Sequence, residues 1–363
     1  MSYATQKLRD ISVIKTGKLD SNAAVENGAY PFFTCDPQTL RINKWAYDTE
    51  AVLLAGNNAS GNYTAKYYRG KFNAYQRTYI IEAADSERLS VRFLCYAINQ
   101  QLRLLKAMSS GSTTKFLTIR MLHNLDIPCP EIEVQDRIVN VLGTIDDLIE
   151  NNQKQIKLLE ETARRLYKEW FVNFRFPGYE DTPIVDGVPE GWERLPVGEL
   201  IEKIPRTTQI MASEYGKEGP IPIIDQSREF IAGYTDNHAS LVNVGKPVIV
   251  FGDHTRILKY IQFPFAKGAD GTQLIVSNTD RMPQSLFYCS LVGVDLSNYH
   301  YARHFKYLKA EELLVPTQVI AEAFDHFVSP MFSKIQRLRD INKAATNARD
   351  RLLPKLISGE IEV

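Results

Sequence analysis

The sequence predicts an α+β protein in which two pseudo-repeated mixed α/β domains are joined by two long antiparallel coiled-coil helices. Three observations predict it. Apolar residues recur at alternating spacings of four and three from 138 to 170. A second such run occupies 324–356, and the segments that precede the two runs repeat one another in order. A sustained 3.5-residue period marks helices that pack along their whole length.

The first run holds Ile138, Leu142, Ile145, Ile149, Asn152, Ile156, Leu159, Ala163, Leu166 and Trp170, nine of ten apolar. A shift of 186 residues gives Phe324, Val328, Met331, Ile335, Leu338, Asn342, Ala345, Arg349, Leu352 and Leu356, eight of ten apolar. At ~1.5 Å per residue, a helix from Gln135 to Phe171 reaches roughly 55 Å. So long a stripe needs a partner of similar length, and its own repeat is the nearest one. Asn152 and Asn342 interrupt the seam. They are either register-setting positions or solvated ones near a splayed end.

The repeat has a period near 190 residues. "YPFF" at 30–33 answers to "IPII" at 221–224, "AVLLAG" at 51–56 to "PVIVFG" at 247–252, and "RTYII" at 77–81 to "TQLIV" at 272–276. "VRFLCYAI" at 91–98 resembles "SLFYCSLV" at 285–292, and "NLDIPCP" at 124–130 resembles "ELLVPTQ" at 312–318. Short β-branched and aromatic stretches between Gly, Asn and Asp turns read as strands. Pro128 and Pro316 then break the chain before each long helix. The expected organisation is a first domain at 1–130, a central long helix at 131–175, a linker at 176–190, a second domain at 191–316 and a C-terminal long helix at 317–363. The linker, rich in Pro, Gly and acidic residues, is expected to be ordered and to start the second domain at Gly191–Trp192.

Composition is that of an ordinary globular protein, 44% hydrophobic and 24% charged. No run of eighteen apolar residues suits a membrane span, and "MSYATQKLRD" has no apolar signal region, so a cytoplasmic protein is expected. Cys35, Cys95, Cys129 and Cys289 are scattered and form no C-x-x-C pair, the pattern of reduced thiols. The zero net charge hides an asymmetry. Residues 1–130 carry 16 Lys+Arg against 10 Asp+Glu, while 131–190 carry 7 against 13. A basic domain followed by an acidic helix keeps DNA open as a partner.

No catalytic signature emerges. The Gly-Lys pairs continue to no Ser or Thr, no G-x-G-x-x-G occurs, and no Pro-Pro pair supports an adenine-methyltransferase tetrad. His300 and His304 in "HYARH" have a spacing that a metal could use, without a third ligand in reach. No cofactor is expected in this chain.

"PEGWERLP" opens the second domain and "LLPKLISGE" closes the chain. "GSTTKFLTIRML" precedes the first long helix, "TIDDLIENNQKQIKLLEETARRLYKEWFVNFRFPG" runs along it, and "FGDHTRILKYIQFPFAKGADG" lies in the second domain. In these marks the chain resembles, over essentially its whole length, the specificity subunit of a Type I restriction-modification enzyme. The resemblance implies two target recognition domains on double-stranded DNA, each reading half of a bipartite asymmetric site with a fixed gap. It implies long helices that separate the readers and bind two modification (methyltransferase) subunits, with two restriction subunits completing the complex. S-adenosylmethionine, ATP and Mg²⁺ are then expected on those partners. A coiled-coil assembly scaffold and a DNA-modifying enzyme with an unrecognised catalytic site are the competing readings.

Base readout needs side chains with paired donors and acceptors. In the first domain the loop chemistry nominates Asn57, Asn58, Ser60, Tyr63, Lys66, Tyr75, Gln76 and Arg77. The resemblance adds Ser112, Thr113, Thr114 and Lys115 of "GSTTK". The second domain offers His254, Thr255, Arg256, Lys259, Lys267 and Gln273. Where the Gly-Ser loop would fall it has "NYHYARHFKYL", with Tyr299, His300, Tyr301, Arg303 and His304.

Overall fold

The computed structural model describes residues 3–58, 63–108, 115–268, 270–299 and 303–363. It divides into two compact units, Met1–Glu150 with Asn342–Val363, and Asn151–Ile341. Neither long helix forms a segment of its own: each contributes one half to each unit.

The first unit is built on a six-stranded sheet in the order Ser12–Thr16, Thr78–Ala83, Tyr47–Ala55, Ala65–Ala74, Tyr30–Phe33, Leu40–Ile42. Neighbours run antiparallel except Tyr30–Phe33 and Ala65–Ala74, which are parallel. The strand Tyr47–Ala55 ends in the apolar run Ala51–Ala55 because both faces of the sheet are covered there. Val52 and Leu54 meet the helix Val91–Gln100 through Phe93 and Ile98, while Ala51 and Leu53 pack with Phe33 and Phe72 on the other face. Alternation along one strand thus feeds two cores. The fully buried Gln135 joins that helix to the long one. Its amide donates to the carbonyls of Arg88 and Pro130 at 2.9 and 2.8 Å and accepts from the Ser90 N–H at 3.0 Å.

The second unit repeats the plan. Ile221–Ile224 pairs in parallel with Phe265–Lys267, as Tyr30–Phe33 does with Ala65–Ala74. Val248–Gly252 lies antiparallel to Thr272–Ile275, as Tyr47–Ala55 does to Thr78–Ala83. The helix Gln284–Val292 answers to Val91–Gln100, and Glu193–Pro196 pairs with Glu312–Val315 as Thr5–Lys7 pairs with Asp126–Pro128. One difference is instructive. The single strand Ala65–Ala74 is replaced by Leu258–Ile261 and Phe265–Lys267, so one sheet becomes a three-stranded and a four-stranded one. Pro264 lies in the break, and a proline has no N–H to give a ladder.

The first long helix, Ile132–Tyr167, continues through a π-helical turn, Lys168–Val172. The second, Gln318–Ser358, runs on through Pro330 and Pro354. In the first unit, Ile138 and Leu142 are fully buried, and Ile145, Ile149, Ala345 and Leu352 are half-buried. Arg349, a seam position, meets Asp146 at 2.9 Å, and the Asn342 amide donates to the Ile149 carbonyl at 3.5 Å. In the second unit Ala163 and Trp170 are buried and Ile156, Leu159 and Leu166 half-buried, facing Phe324, Val328, Met331, Ile335 and Leu338. Arg339 bonds Glu160 at 2.9 Å, and the Trp170 and Phe324 rings lie 5.8 Å apart. In both units the numbering of one helix rises as its partner's falls: the pairing is antiparallel, as the seam predicts. No described helix is long and apolar enough to cross a membrane.

The linker is ordered. Asp186 and Gly187, with φ of 50° and 79°, make the two-residue turn between Ile184–Val185 and Val188–Pro189, the backbone that Asp-Gly supplies in tight hairpins. Trp192 then closes on Phe171 and Phe176 at 5.3 and 4.9 Å, and Phe171 on Phe324 at 5.1 Å. Phe324 is fully buried at the centre of this aromatic cluster. Phe324→Ala should cost about 3–5 kcal/mol, read as an earlier urea midpoint in the fluorescence of Trp170 and Trp192. An unchanged midpoint would mean that the cluster does not hold the helix to its unit.

Candidate nucleic-acid interface

Strand connections at one end of the first sheet interlock. Thr34–Thr39 follows Tyr30–Phe33, Gly56–Asn58 follows Tyr47–Ala55, and Tyr75–Arg77 turns between Ala65–Ala74 and Thr78–Ala83. The Gly56 N–H donates to the Arg77 carbonyl, and the Leu117 N–H to the Gly56 carbonyl, both at 2.8 Å. Asn57 and Asn58 pair with Phe116 and Lys115. A Cβ at Gly56 would meet the Arg77 carbonyl oxygen at 2.4 Å, so only glycine allows this approach.

On this frame Gln76 and Arg77 are exposed, while Asn57, Asn58, Lys66, Tyr75 and Lys115 are half-buried. Lys66 donates to the Thr39 hydroxyl at 3.1 Å, and burial pushes its pKa down against the opposing pull of Asp36. Tyr63 is buried, and neither its hydroxyl nor the Asn57 Oδ1 has a hydrogen-bond partner among the described residues. Ser60, Ser112, Thr113 and Thr114 lie outside the described residues.

In the second unit the matching cluster turns on Gln226. Its Oε1 accepts from the His254 N–H at 3.0 Å, its Nε2 donates to the Asp270 carbonyl at 2.7 Å, and its carbonyl accepts from the Thr255 hydroxyl at 2.7 Å. Asp253 fastens the loop from within: its carboxylate accepts from the Phe305 N–H at 2.7 Å, and its N–H donates to the Gly271 carbonyl at 2.7 Å. His254, Thr255, Arg256 and Arg303 are exposed, and Lys267, Gln273 and Tyr299 are half-buried. Arg256 has φ of 61°, a left-handed conformation uncommon for a side-chain-bearing residue, and donates to the Leu296 carbonyl at 3.0 Å. Tyr299 stacks on Tyr307 with centroids 4.1 Å apart.

Two nominated residues are interior supports instead. Lys259 is 5% exposed, with its ammonium bonded to the Glu229 carbonyl and 3.8 Å from Asp225. Burial lowers its pKa and Asp225 opposes that shift. His304 is 8% exposed, and its ring nitrogens lie 2.8 and 3.0 Å from the carbonyl oxygens of Asp253 and Tyr299. With both nitrogens so engaged, His304 is not free for DNA or a metal. His300 and Tyr301 lie outside the described residues. Among the described residues no group of three or more His, Cys, Asp or Glu is placed to hold a metal. Burial also pushes the Cys95 and Cys289 thiols up to about 12, away from nucleophilic reactivity.

Sequence reasoning missed Thr34–Thr39 and its counterpart Asp225–Phe230, which brings Gln226 and the exposed Arg228 to the cluster. The repeat itself held the signal: both loops directly follow the matched "YPFF" and "IPII".

Residues 2–161 match the Type I restriction modification DNA specificity domain. The EcoDI specificity subunit of Escherichia coli is 33% identical over 178 residues, covering 49% of this chain and 38% of that protein. The MjaIX specificity subunit of Methanocaldococcus jannaschii is 27% identical over 285 residues, covering 71% and 66%. The chain thus spans between 38% and 66% of the length of these two curated relatives. The S subunit of a Type I restriction-modification system from M. genitalium has the same fold, with a TM-score of 0.66, 17% identity and coverage of 98% of this chain and 96% of that one. Residues 2–161 thus match the Type I restriction modification DNA specificity domain, and the chain is similar to the specificity subunits of Type I restriction enzymes.

Proposed function

We propose that this chain is the non-catalytic DNA-recognition subunit of a Type I restriction-modification complex. Each unit reads one half of a bipartite, asymmetric site, and the long helices fix the gap between the halves. Two modification subunits then methylate adenine and two restriction subunits cut, with S-adenosylmethionine, ATP and Mg²⁺ belonging to those partners. The observation that carries this reading is the repeated loop cluster. The same connections of one repeated plan converge in each unit, yet they carry different side chains. Gln76 and Arg77 are exposed in the first; His254, Arg256 and Arg228 are exposed in the second. Arg presents two donors that match the guanine O6 and N7 acceptors, and Gln a donor and an acceptor that match adenine N7 and N6, in the major groove. A bare scaffold would have no use for two such clusters, and a self-contained enzyme would need a nucleophile or metal set in one of them.

Readers on the same face of the duplex would sit about one turn, ~10 base pairs, apart. Long-read mapping of N6-methyladenine in the host, with this gene intact and deleted, tests the reading. Loss of methylation at one gapped, asymmetric motif is the expected result; an unchanged methylome in a system that expresses its methyltransferase would sink it.

Single substitutions separate readers from supports. Arg256→Ala should weaken binding of the assembled complex by about 1–3 kcal/mol on the cognate site, with little change on unrelated DNA. Equal weakening on all sequences would make Arg256 a phosphate contact. Lys259→Ala should instead cost about 1–3 kcal/mol of folding stability, because it removes the donor to the Glu229 carbonyl and the positive charge beside the buried Asp225 carboxylate. A normal melting curve with lost DNA affinity would return Lys259 to the reading surface.

A further inference from the structure

We infer that Arg339, on the second long helix, is a positioning residue for sequence reading by the second unit, acting through the loop Asp225–Phe230. The inference rests on the reading just proposed and adds how the helix takes part in it. Arg339 contributes no atom to the loop cluster. Its guanidinium lies over the Phe230 ring, 4.2 Å from the centroid, and donates to Glu160 of the first long helix at 2.9 Å. A planar guanidinium can do both at once, stacking by its face and bonding by its edge. Glu160, Arg228, Phe230, Lys259, Tyr288 and Arg339 line one cavity of about 240 Å³.

The loop is fastened at two places. At one end Ser227 donates through its N–H and hydroxyl to Asp225 at 2.9 and 2.6 Å, and Gln226 is bonded to the loops that carry His254, Thr255 and Asp270. At the other, the Glu229 carbonyl accepts from Lys259 and the Phe230 ring sits under Arg339. Between them stands Arg228, exposed and with no hydrogen bond or ion pair to any described residue. A guanidinium with no internal partner, held from both sides on the surface that reads DNA, has the chemistry of a guanine or phosphate contact. The same stretch of helix also grips the neighbouring sheet, where Gln262 donates to the Phe332 carbonyl at 2.8 Å. The position of Arg228 therefore depends on the helix, and Arg339 is the link.

The test uses the intact complex in its host, with N6-methyladenine mapped for wild type, Arg228→Ala, Arg339→Ala, Arg339→Lys and Phe230→Leu. The readout is the preference for the cognate motif over single-base mismatches, taken separately for each half of the site. Arg339→Ala should reduce that preference about fivefold to thirtyfold, only in the half that Arg228→Ala also degrades. Arg339→Lys keeps a cation over the ring and should recover part of it. Phe230→Leu, which keeps an apolar side chain and removes the π face, should repeat the Arg339→Ala pattern. If Arg339→Ala abolishes methylation altogether, the Phe230→Leu result decides. Equal loss in both halves, or no loss with Phe230→Leu, overturns the inference while leaving the recognition reading intact. A wild-type methylome without a gapped motif removes that reading and the inference with it.

Discussion

A helix longer than any single core must bury its apolar stripe against something equally long. In this chain the other long helix meets that demand, and the rest of the structure depends on it. Residues 138–149 and 342–356 close the first unit, and 156–170 and 324–338 close the second. Neither sheet packs on a small private helix alone: the second unit's core holds Phe324, Val328 and Ile335 together with strand residues Ile249 and Phe251. The helices are thus core elements first. The contact of Arg339 with Phe230, which ties the loop Asp225–Phe230 to the second long helix, follows from that packing.

The seam is not uniformly apolar, and its exceptions are paired. Arg349 occupies a seam position but meets Asp146 at 2.9 Å and Asp350 at 2.8 Å, and Asp146 also accepts from the Tyr96 hydroxyl at 2.5 Å. Charges in such places are tolerated when their hydrogen bonds are complete, and removing one partner costs more than the pair contributes. Asn342 directs its amide to the Ile149 carbonyl and Asn152 is 3% exposed. Restricting the register at which two similar stripes can lie is the best attested use of buried polar groups in paired helices.

Much of this was legible in the sequence because it depends on periodicity and order. A stripe at spacings of four and three specifies a long paired helix whatever its exact residues. Five weak matches in the same order specified a repeat that the strand pairings reproduce, down to the parallel neighbours of Phe32 and Ile223. The site was less legible because residue type does not report burial. Lys259 and His304 have the chemistry of DNA contacts, but their side-chain nitrogens lie against backbone carbonyls inside the unit. Arg228 and Gln226 escaped notice for the opposite reason. Their loop is not dense in polar aromatic residues, and its importance lies in what it touches in space.

The two loop clusters also indicate how one frame can serve two different surfaces. In each unit a glycine stands where the connections cross, Gly56 directly after Tyr47–Ala55 and Gly252 as the last residue of Val248–Gly252. A Cβ would lie 2.4 Å from the Arg77 carbonyl oxygen at the first and 2.1 Å from the Thr255 hydroxyl at the second. Backbone-to-backbone bonds carry the first crossing, Gly56 to Arg77 and Leu117 to Gly56, and the side chains of Gln76 and Arg77 play no part in them. In the second, the carboxylate of Asp253 and the amide of Gln226 do the fastening and leave His254 and Arg228 exposed. Fixing the crossing through glycine and backbone, or through one dedicated polar side chain, separates the groups that hold the loops from the groups that face outward. The outward groups can then differ between the units without disturbing either core.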